Sequence, residues 1–166
     1  QKNLGIAGLT ILIIKNKLLS DCNKELLPMF DYSAHAEEAS MLNTSPVFSW
    51  YVSGLIFDWI TEQGGVEMMG KVNMEKSSLL YNYIDESSFY SNPVSKPYRS
   101  WMNIPFILAR DDLENDFIQS AEDEGLFNLK GHRTVGGMRA SVYNAMPIEG
   151  IKRLISFMDE FAKLHE

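Results

Sequence analysis

Three stretches of the chain have the hydrophobic pattern of β-strands. Residues 9–14 are nearly all apolar and rich in β-branched side chains, which predicts a buried strand. Residues 101–109 and 138–143 alternate between apolar and other positions, which predicts strands with one buried face. The buried positions are predicted to be Met102, Ile104, Phe106, Leu108, Met138, Ala140 and Val142. Pro105 argues against a fully paired central position for its strand, because proline has no N–H to donate.

Helical patterns occupy most of the remaining chain. Residues 47–60 are apolar or aromatic on all sides, which predicts a buried helix rather than an amphipathic one. Apolar residues at helical spacing predict amphipathic helices over residues 66–85, between Asp111 and Gly125, and from Pro147 onward. The sequence therefore contains both strand and helix patterns, and the strand patterns fall into two separate regions.

This order of elements predicts an α/β fold in two parts. Residues 1–63 contain a buried strand and a long buried helix, joined by a connection over residues 20–39 that has little periodicity. Residues 64–166 form a small α/β domain in which helices cover one face of a mostly antiparallel sheet. We place the domain boundary between residues 63 and 64, and we interpret residues 87–100 as a loop that contains at most a short strand.

Composition narrows the possible partners and compartment. The chain has 166 residues, and its net charge of −7 opposes general binding to nucleic acid. The helix over residues 47–60 is too short for a membrane span, which needs ~20 apolar residues, and it carries Asp58. Cys22 is the only cysteine, which is typical of a reducing cytosol. We expect a cytoplasmic protein with neither a membrane nor a nucleic-acid partner, and the start at Gln1 suggests a fragment of a longer chain.

Cationic side chains cluster immediately before and within the third strand. His132 and Arg133 precede Gly136-Gly137, and Arg139 follows on the strand face opposite the apolar residues. A guanidinium binds a carboxylate or phosphate through two parallel hydrogen bonds. This cluster predicts a receptor for a small molecule with two anionic ends. The alternative is a strand whose arginines pair with carboxylates of the same chain, and spacing alone does not decide between the two.

Two further features have a chemical interpretation beside a structural one. Lys2 precedes a glycine-containing turn, and it is either an ordinary surface lysine or an amine held for Schiff-base chemistry. Asn43-Thr44-Ser45-Pro46 is typical of a helix start, with Thr44 or Ser45 as the cap and Pro46 in the first turn. The free N–H groups of a helix start also suit a phosphate, although most capped helices bind nothing.

Four segments carry a resemblance to a known family. They are QKNLGIAGLTILII, NTSPVFSWYVSGLIFDWI, RSWMNIPFILA and GHRTVGGMRASVYNAMPIEGIKRLISFMDEF. In sequence and order they resemble the phosphoserine aminotransferase family, which belongs to the class V, fold-type I enzymes that use pyridoxal 5′-phosphate (PLP). The resemblance covers essentially the whole chain. It implies that the chain is the C-terminal half of such an enzyme, made of the end of the large PLP-binding domain and the small C-terminal domain.

The resemblance also implies a role for each candidate site residue. Lys2 matches the catalytic lysine that binds PLP as a Schiff base and moves the α-proton of the substrate. Asn43 and Thr44 match the residues that hold the cofactor phosphate of the neighbouring subunit in a homodimer. Arg139 matches the arginine that binds the substrate α-carboxylate. His132 and Arg133 match the pair that binds the distal phosphate or carboxylate. No metal is implied.

The implied reaction is a ping-pong transamination of 3-phosphohydroxypyruvate with glutamate, which gives O-phosphoserine and 2-oxoglutarate. It belongs to serine biosynthesis and, in bacteria, often to pyridoxine biosynthesis as well. The N-terminal half would carry the aromatic residue that stacks on PLP and the acidic partner of its nitrogen. We therefore expect this chain alone to bind PLP poorly and to be inactive. The alternatives are another class V aminotransferase and a non-catalytic dimerisation or binding module.

Overall fold

The computed structural model describes residues 2–20, 26–132 and 136–165. The chain divides into two compact units, Gln1–Thr61 and Glu62–Glu166. This division lies close to the boundary that the sequence suggested between residues 63 and 64. The assignment of these units to domains of a longer enzyme remains a prediction.

The described residues of the N-terminal unit contain three α-helices, besides a 3-10 turn at Pro28–Phe30. They are α1 (Asn16–Ser20), α2 (Tyr32–Glu37) and α3 (Val47–Glu62). The prediction of a buried strand at residues 9–14 is wrong for this chain, because these residues form no strand and Ile13 is 95% exposed. A strand needs neighbouring backbone with which to exchange hydrogen bonds. The described residues of this unit contain no strand at all.

Helix α2 lies in the region that the sequence suggested was a connection. The carboxylate of Asp31 accepts a hydrogen bond of 2.9 Å from the N–H of Ser33, which caps the first turn. This hydrogen bonding, with the Ser33 side chain as the main contributor, lowers the pKa of Asp31. The cluster Asp31-Tyr32-Ser33 is therefore a helix start rather than part of a loop.

Helix α3 forms as the sequence predicts, but its predicted burial is wrong within this chain. Pro46 directly precedes the helix, and its carbonyl accepts the N–H of Trp50 at 3.1 Å. Only Ser49 and Ser53 are buried in α3, whereas Phe48 and Tyr51 are 69% and 63% exposed. The apolar residues surround the helix as predicted, but the described part of this unit covers only the side that carries the two serines.

The C-terminal unit contains a three-stranded antiparallel sheet. Its strands are β1 (Tyr90–Ser91), β2 (Asn103–Leu108) and β3 (Met138–Ser141), in the order β1-β2-β3. β2 is the central strand although it contains Pro105. The Pro105 carbonyl accepts the side-chain amide of Asn92 at 2.6 Å, so its ring nitrogen also faces the β1 side. β1 pairs only with Ile107 and Leu108, so no ladder hydrogen bond is lost at the proline.

Three α-helices in the described residues of this unit cover one face of the sheet. They are α4 (Gly65–Glu86), α5 (Glu114–Asp123) and α6 (Ile148–His165). The predicted alternation is confirmed for Ile104, Phe106, Leu108, Met138 and Ala140, which are buried while the positions between them in β2 and β3 are not. Met102, which was also predicted to be buried, precedes β2 and is only half-buried. The centre of the core is formed by Leu80, Ile84, Tyr90, Ile104, Phe106, Leu108, Phe117, Ala121, Met138, Ala140, Leu154, Met158 and Phe161.

The described residues contain no helix that is both long enough and apolar enough to cross a membrane.

Candidate active site

A tight glycine turn precedes β3. The N–H of Gly131 donates to the carbonyl of Gly137 at 2.8 Å, and the N–H of Gly136 donates to the carbonyl of His132 at 2.9 Å. Gly136 and Gly137 have φ of 75° and 60°, a conformation that other residues adopt only with strain. The turn therefore fixes His132 close to the start of β3.

Gly137 also lies against the central strand. A β-carbon at this position would be 2.9 Å from the Phe106 carbonyl oxygen and 2.8 Å from the Ile107 side chain. The turn is thus packed directly on β2, and any side chain at residue 137 would push it away.

Arg139 projects from β3 on the face opposite the core. It lies in register with Pro105 on β2, and its backbone N–H donates to the Leu129 carbonyl at 2.7 Å. Its Nε is buried and has no hydrogen-bond partner among the described residues. No described carboxylate forms an ion pair with Arg139. The alternative that this arginine neutralises an acidic side chain of the same chain is therefore not what the described residues show.

His132 and Arg139 line the same cavity, which has a volume of about 290 Å³. A buried, unpartnered guanidinium nitrogen is costly unless it receives an acceptor. The cavity that Arg139 lines is large enough for a small anionic ligand. Arg133, the third predicted member of this cluster, lies outside the described residues.

The other part of the cavity lining was not foreseen from the sequence. It consists of Tyr81 on α4 and of Val94, Tyr98 and Ser100 in the loop between β1 and β2. The Tyr81 hydroxyl donates to the Ser100 carbonyl at 2.9 Å. Burial is the main cause that raises the pKa of Tyr81, so this hydroxyl stays protonated and remains a donor. No periodic pattern marks these residues, because the loop folds back on α4.

Arg99 joins this loop to α4. Its guanidinium donates two hydrogen bonds, of 2.8 and 2.7 Å, to the carboxylate of Asp85. Its Nε donates to the Val94 carbonyl at 3.2 Å, and its Cζ lies 4.7 Å from the centre of the Tyr81 ring. The hydrogen bond from Arg99 is the main cause that lowers the pKa of Asp85 to about 2. The guanidinium of Arg99 thus has its hydrogen-bond partners within the chain, in contrast with Nε of Arg139.

In the N-terminal unit, Lys2 is exposed and lies at the start of a tight turn. It has a φ of 83°, and its backbone N–H donates to the Gly5 carbonyl at 2.8 Å. Gly5 is buried against α3, where an added β-carbon would be 2.5 Å from the Ser53 hydroxyl. The backbone around Lys2 is therefore held against α3, while the residue itself remains accessible.

Asn43 lines a second cavity, with a volume of about 360 Å³, in the same unit. Its lining includes the hydroxyl-bearing residues Thr10, Ser40 and Ser45. The Asn43 side-chain amide donates to the Thr44 carbonyl at 3.3 Å. Thr44 itself is exposed and is not part of this lining. Hydroxyl and amide groups of this kind are suitable donors to a phosphate.

Lys76 is the second feature that sequence analysis missed. It is fully buried on α4, and its ammonium donates to the carbonyls of Tyr143, Asn144 and Met146 at 2.9, 3.3 and 2.9 Å. Burial lowers its pKa. Lys76 therefore fastens the turn after β3 to α4. In the sequence it is one lysine on an amphipathic helix, and only its position on the apolar face could have indicated burial.

Among residues 2–20, 26–132 and 136–165, no group of three or more histidine, cysteine, aspartate or glutamate side chains could hold a metal ion.

Relatives of known activity match nearly all of this chain. Phosphoserine aminotransferase from Acinetobacter baumannii (strain ACICU) is 55% identical over 163 residues, which are 98% of this chain and 45% of that protein. Phosphoserine aminotransferase from Pseudomonas fluorescens (strain SBW25) is 52% identical and is covered to 46%. The chain therefore spans slightly less than half the length of these curated relatives.

Solved structures show the same correspondence. Phosphoserine aminotransferase from Bacillus circulans subsp. alkalophilus superimposes with a TM-score of 0.88 at 40% identity, covering 92% of this chain and 43% of that one. A PLP-bound phosphoserine aminotransferase from Trichomonas vaginalis superimposes with a TM-score of 0.88 at 35% identity, covering 95% and 45%. These similarities confirm the predicted α/β fold class and the resemblance to this family.

The model of the family described as aminotransferase class-V matches residues 1–154. Together with the fold and the cavity that contains Arg139, this match shows that the chain belongs to the class-V aminotransferases.

Proposed function

We propose that the protein carrying this chain is a PLP-dependent phosphoserine aminotransferase, which transfers the amino group of glutamate to 3-phosphohydroxypyruvate. The observation that carries this proposal is Arg139, whose buried Nε has no partner among the described residues and which lines a cavity together with His132. The similarity to phosphoserine aminotransferases over 98% of the chain supports it. Serine biosynthesis, with pyridoxine biosynthesis as a second pathway, and a cytoplasmic location follow as parts of the proposal.

The residues of the N-terminal unit fit PLP. The cavity beside Asn43 offers amide and hydroxyl groups that suit a phosphate, and Lys2 offers an accessible amine on a constrained turn. When bound, PLP acts as an electron sink for the substrate carbon that loses its proton. Lys2 would hold the cofactor aldehyde through Nζ until the substrate amine displaces it, and the released Lys2 amine would then carry the α-proton of the substrate. Asn43 and Thr44 would bind the cofactor phosphate of the partner subunit, so that the enzyme works as a homodimer.

The residues of the C-terminal unit would bind and orient both substrates. Arg139 would bind the α-carboxylate, and His132 and Arg133 would bind the group at the far end. Phosphoserine and glutamate both carry an α-carboxylate and a distal anion, so one site can serve both halves of the reaction. The buried Nε of Arg139 has no partner among the described residues, and a carboxylate beside this guanidinium would offset the cost of burying its charge. The ligand is thus recognised by its charge and fixed in orientation by its two ends.

The test is glutamate-dependent amination of 3-phosphohydroxypyruvate by the full-length protein, compared with the variants Lys2→Ala and Arg139→Met. We expect Lys2→Ala to abolish turnover and to abolish the absorbance of a lysine-bound cofactor. We expect Arg139→Met to lower kcat/KM by about a hundredfold or more while that absorbance is kept. Lys15→Ala, which changes another exposed lysine of the same unit, is the matched control.

Full activity of Lys2→Ala would remove Lys2 from catalysis. Turnover by the unmodified protein with other amino donors, but not with glutamate or phosphoserine, would reassign it to another class V aminotransferase. The isolated 166-residue chain is expected to show no turnover, and phosphoserine-dependent transamination by it would contradict the proposed need for the rest of the enzyme.

A further inference from the structure

The cavity lined by His132 and Arg139, which we name the anion-binding cavity after its proposed role, is built in part from a loop that has little regular structure of its own. Val94, Tyr98 and Ser100 all lie between β1 and β2, where a single turn of 3-10 helix spans Lys96–Tyr98. A loop of this kind has no sheet ladder to hold it, so its position depends on side-chain contacts. The contacts that hold it therefore decide the shape of the cavity.

Arg99 makes three of these contacts. It binds the Val94 carbonyl through Nε, stacks on the ring of Tyr81, and forms a two-point hydrogen bond with Asp85 on α4. Tyr81 in turn binds the Ser100 carbonyl. Each of these contacts is made to a residue that lines the cavity or to α4, the helix that contains Tyr81. The planar guanidinium is required for this combination, because an ammonium cannot make the paired and stacked contacts together.

The positive charge of Arg99 is paired with a carboxylate of the same chain. Its side chain is only 13% exposed, and the Asp85 carboxylate lies at 2.7 Å. Lys96 adds a second positive charge on Asp85 at 3.3 Å, although that lysine is 78% exposed. Arg99 is thus a poor candidate for direct binding of an anionic ligand, and its contacts are directed at the loop and α4.

We propose that Arg99 is a positioning residue, which holds the loop of Val94, Tyr98 and Ser100 at a fixed distance from Arg139 and so sets the width of the anion-binding cavity. The inference rests on the proposed function of Arg139 as the receptor of a carboxylate. A ligand that is held at Arg139 by one end must fit between β3 and this loop. Loss of Arg99 leaves the charge of Arg139 in place but releases the surface against which the rest of the ligand packs.

The experiment uses the full-length enzyme with PLP bound and compares Arg99→Met with the unmodified protein. Methionine keeps most of the apolar stem but removes every hydrogen bond of the guanidinium. We expect the dissociation constant of glutarate, a five-carbon dicarboxylate, and the KM of glutamate to rise roughly tenfold. A misplacement of 1 Å at a reacting centre can lower the rate about a hundredfold, and we expect a smaller effect here because Arg99 acts on the cavity wall. We expect kcat to change less than about threefold and the cofactor absorbance to stay the same.

Arg110→Met is the matched control, because Arg110 also pairs with an aspartate, Asp112 at 2.7 Å, but on an exposed surface away from the cavity lining. Tyr81→Phe is a second test that keeps the ring and removes only the hydrogen bond to Ser100. It should raise the same constants by a smaller factor, and it remains informative if Arg99→Met does not fold.

The inference is overturned if the folded Arg99→Met and Tyr81→Phe variants bind glutarate as the unmodified enzyme does, even if their melting temperatures fall. A lowered kcat with unchanged glutarate binding would also contradict it. Glutarate binding is measured by calorimetry and needs no turnover. The result therefore does not depend on which substrates the enzyme converts. If the unmodified enzyme binds glutarate but does not transaminate, the proposed function fails and the role of Arg99 can still be judged.

Discussion

Arg139 and Arg99 lie near the same cavity but differ in their hydrogen-bond partners. Arg99 is paired with Asp85, stacked on Tyr81 and bonded to the Val94 carbonyl. Arg139 has a buried Nε without a partner among the described residues. The alternation of residues 138–143 was enough to predict the face on which Arg139 lies, because strand geometry fixes it. The Arg99–Asp85 pair could not be predicted, since it joins a loop to a helix.

The two glycines before β3 allow the contributions of backbone strain and close contact to be separated. Both have positive φ, but a β-carbon on Gly136 meets nothing within 4 Å, whereas one on Gly137 meets the Phe106 carbonyl. We expect Gly136→Ala to lower the free energy of unfolding by about 1–2 kcal/mol, the cost of the left-handed conformation. Gly137→Ala should cost more and should also weaken glutarate binding. Urea unfolding and calorimetry of both variants provide the measurement, and equal effects would contradict the close contact with β2.

The Asp85 carboxylate predicts a defined pH dependence. Its pKa falls from a usual value near 3.8 to about 2 in the folded protein. The unfolded chain therefore binds more protons between these values, so the stabilisation by the Arg99–Asp85 pair is complete above about pH 4. It is lost as the pH falls toward about 2.

Asp85→Asn provides the comparison. The difference in free energy of unfolding between the unmodified protein and this variant should be constant above about pH 4 and shrink below it. Urea unfolding at a series of pH values measures the difference. Asp112→Asn, at the exposed Arg110 pair, is the control and should show a smaller difference throughout. A difference that does not change between pH 5 and pH 2 would contradict the depressed pKa of Asp85.

At the scale of elements, the two units differ in how well their sequence predicts them. Strands β2 and β3 and helices α4, α5 and α6 agree with their hydrophobic patterns because they pack on one another within the unit. Residues 9–14 have an equally clear strand pattern but form no strand. A pattern of this kind shows that a segment is suited to burial, and it cannot show whether the covering elements belong to the same stretch of chain. Helix α2 was missed for a different reason. Its start is marked by a local capping hydrogen bond, and its residues show no hydrophobic periodicity that would predict a helix.

Lys76 connects α4 to the turn that follows β3, and its removal should be costly. Lys76→Met fills similar space but leaves the carbonyls of Tyr143, Asn144 and Met146 without their donor. We expect the free energy of unfolding to fall by about 1–3 kcal/mol, the cost of an unsatisfied buried polar group. Lys71→Met, at an exposed position of the same helix, should change it by less than about 0.5 kcal/mol. Equal stability of the two variants would show that the three hydrogen bonds contribute nothing.

At the scale of the whole molecule, the main feature is apolar surface in the N-terminal unit. Val47, Phe48, Tyr51 and Leu55 on α3 are each more than half exposed, and Ile13 is almost fully exposed. Soluble proteins rarely leave contiguous patches of this kind uncovered. The curated relatives are more than twice as long as this chain, so they contain residues that could cover such a surface.

We therefore expect the 166-residue chain to bind a hydrophobic dye strongly and to self-associate, and the full-length protein to do neither beyond the level of a defined homodimer. Dye fluorescence and light scattering at matched concentration test this. Phe48→Gln together with Tyr51→Gln should reduce dye binding by the short chain, whereas Phe127→Gln, which changes an exposed aromatic residue of the C-terminal unit, should have little effect. Equal dye binding by the 166-residue chain and by a protein of the relatives' length would contradict the idea that the additional residues cover α3.

Pro105 has a consequence that concerns aggregation. Because β1 is only two residues long, most of the β1-side edge of β2 is not paired with a strand. Edges of this kind can recruit a strand from another molecule and start an intermolecular sheet. Pro105 offers no N–H on that edge, and its carbonyl is already bonded to Asn92. Pro105, which argued against a fully paired central position, thus protects the sheet from pairing with a second molecule.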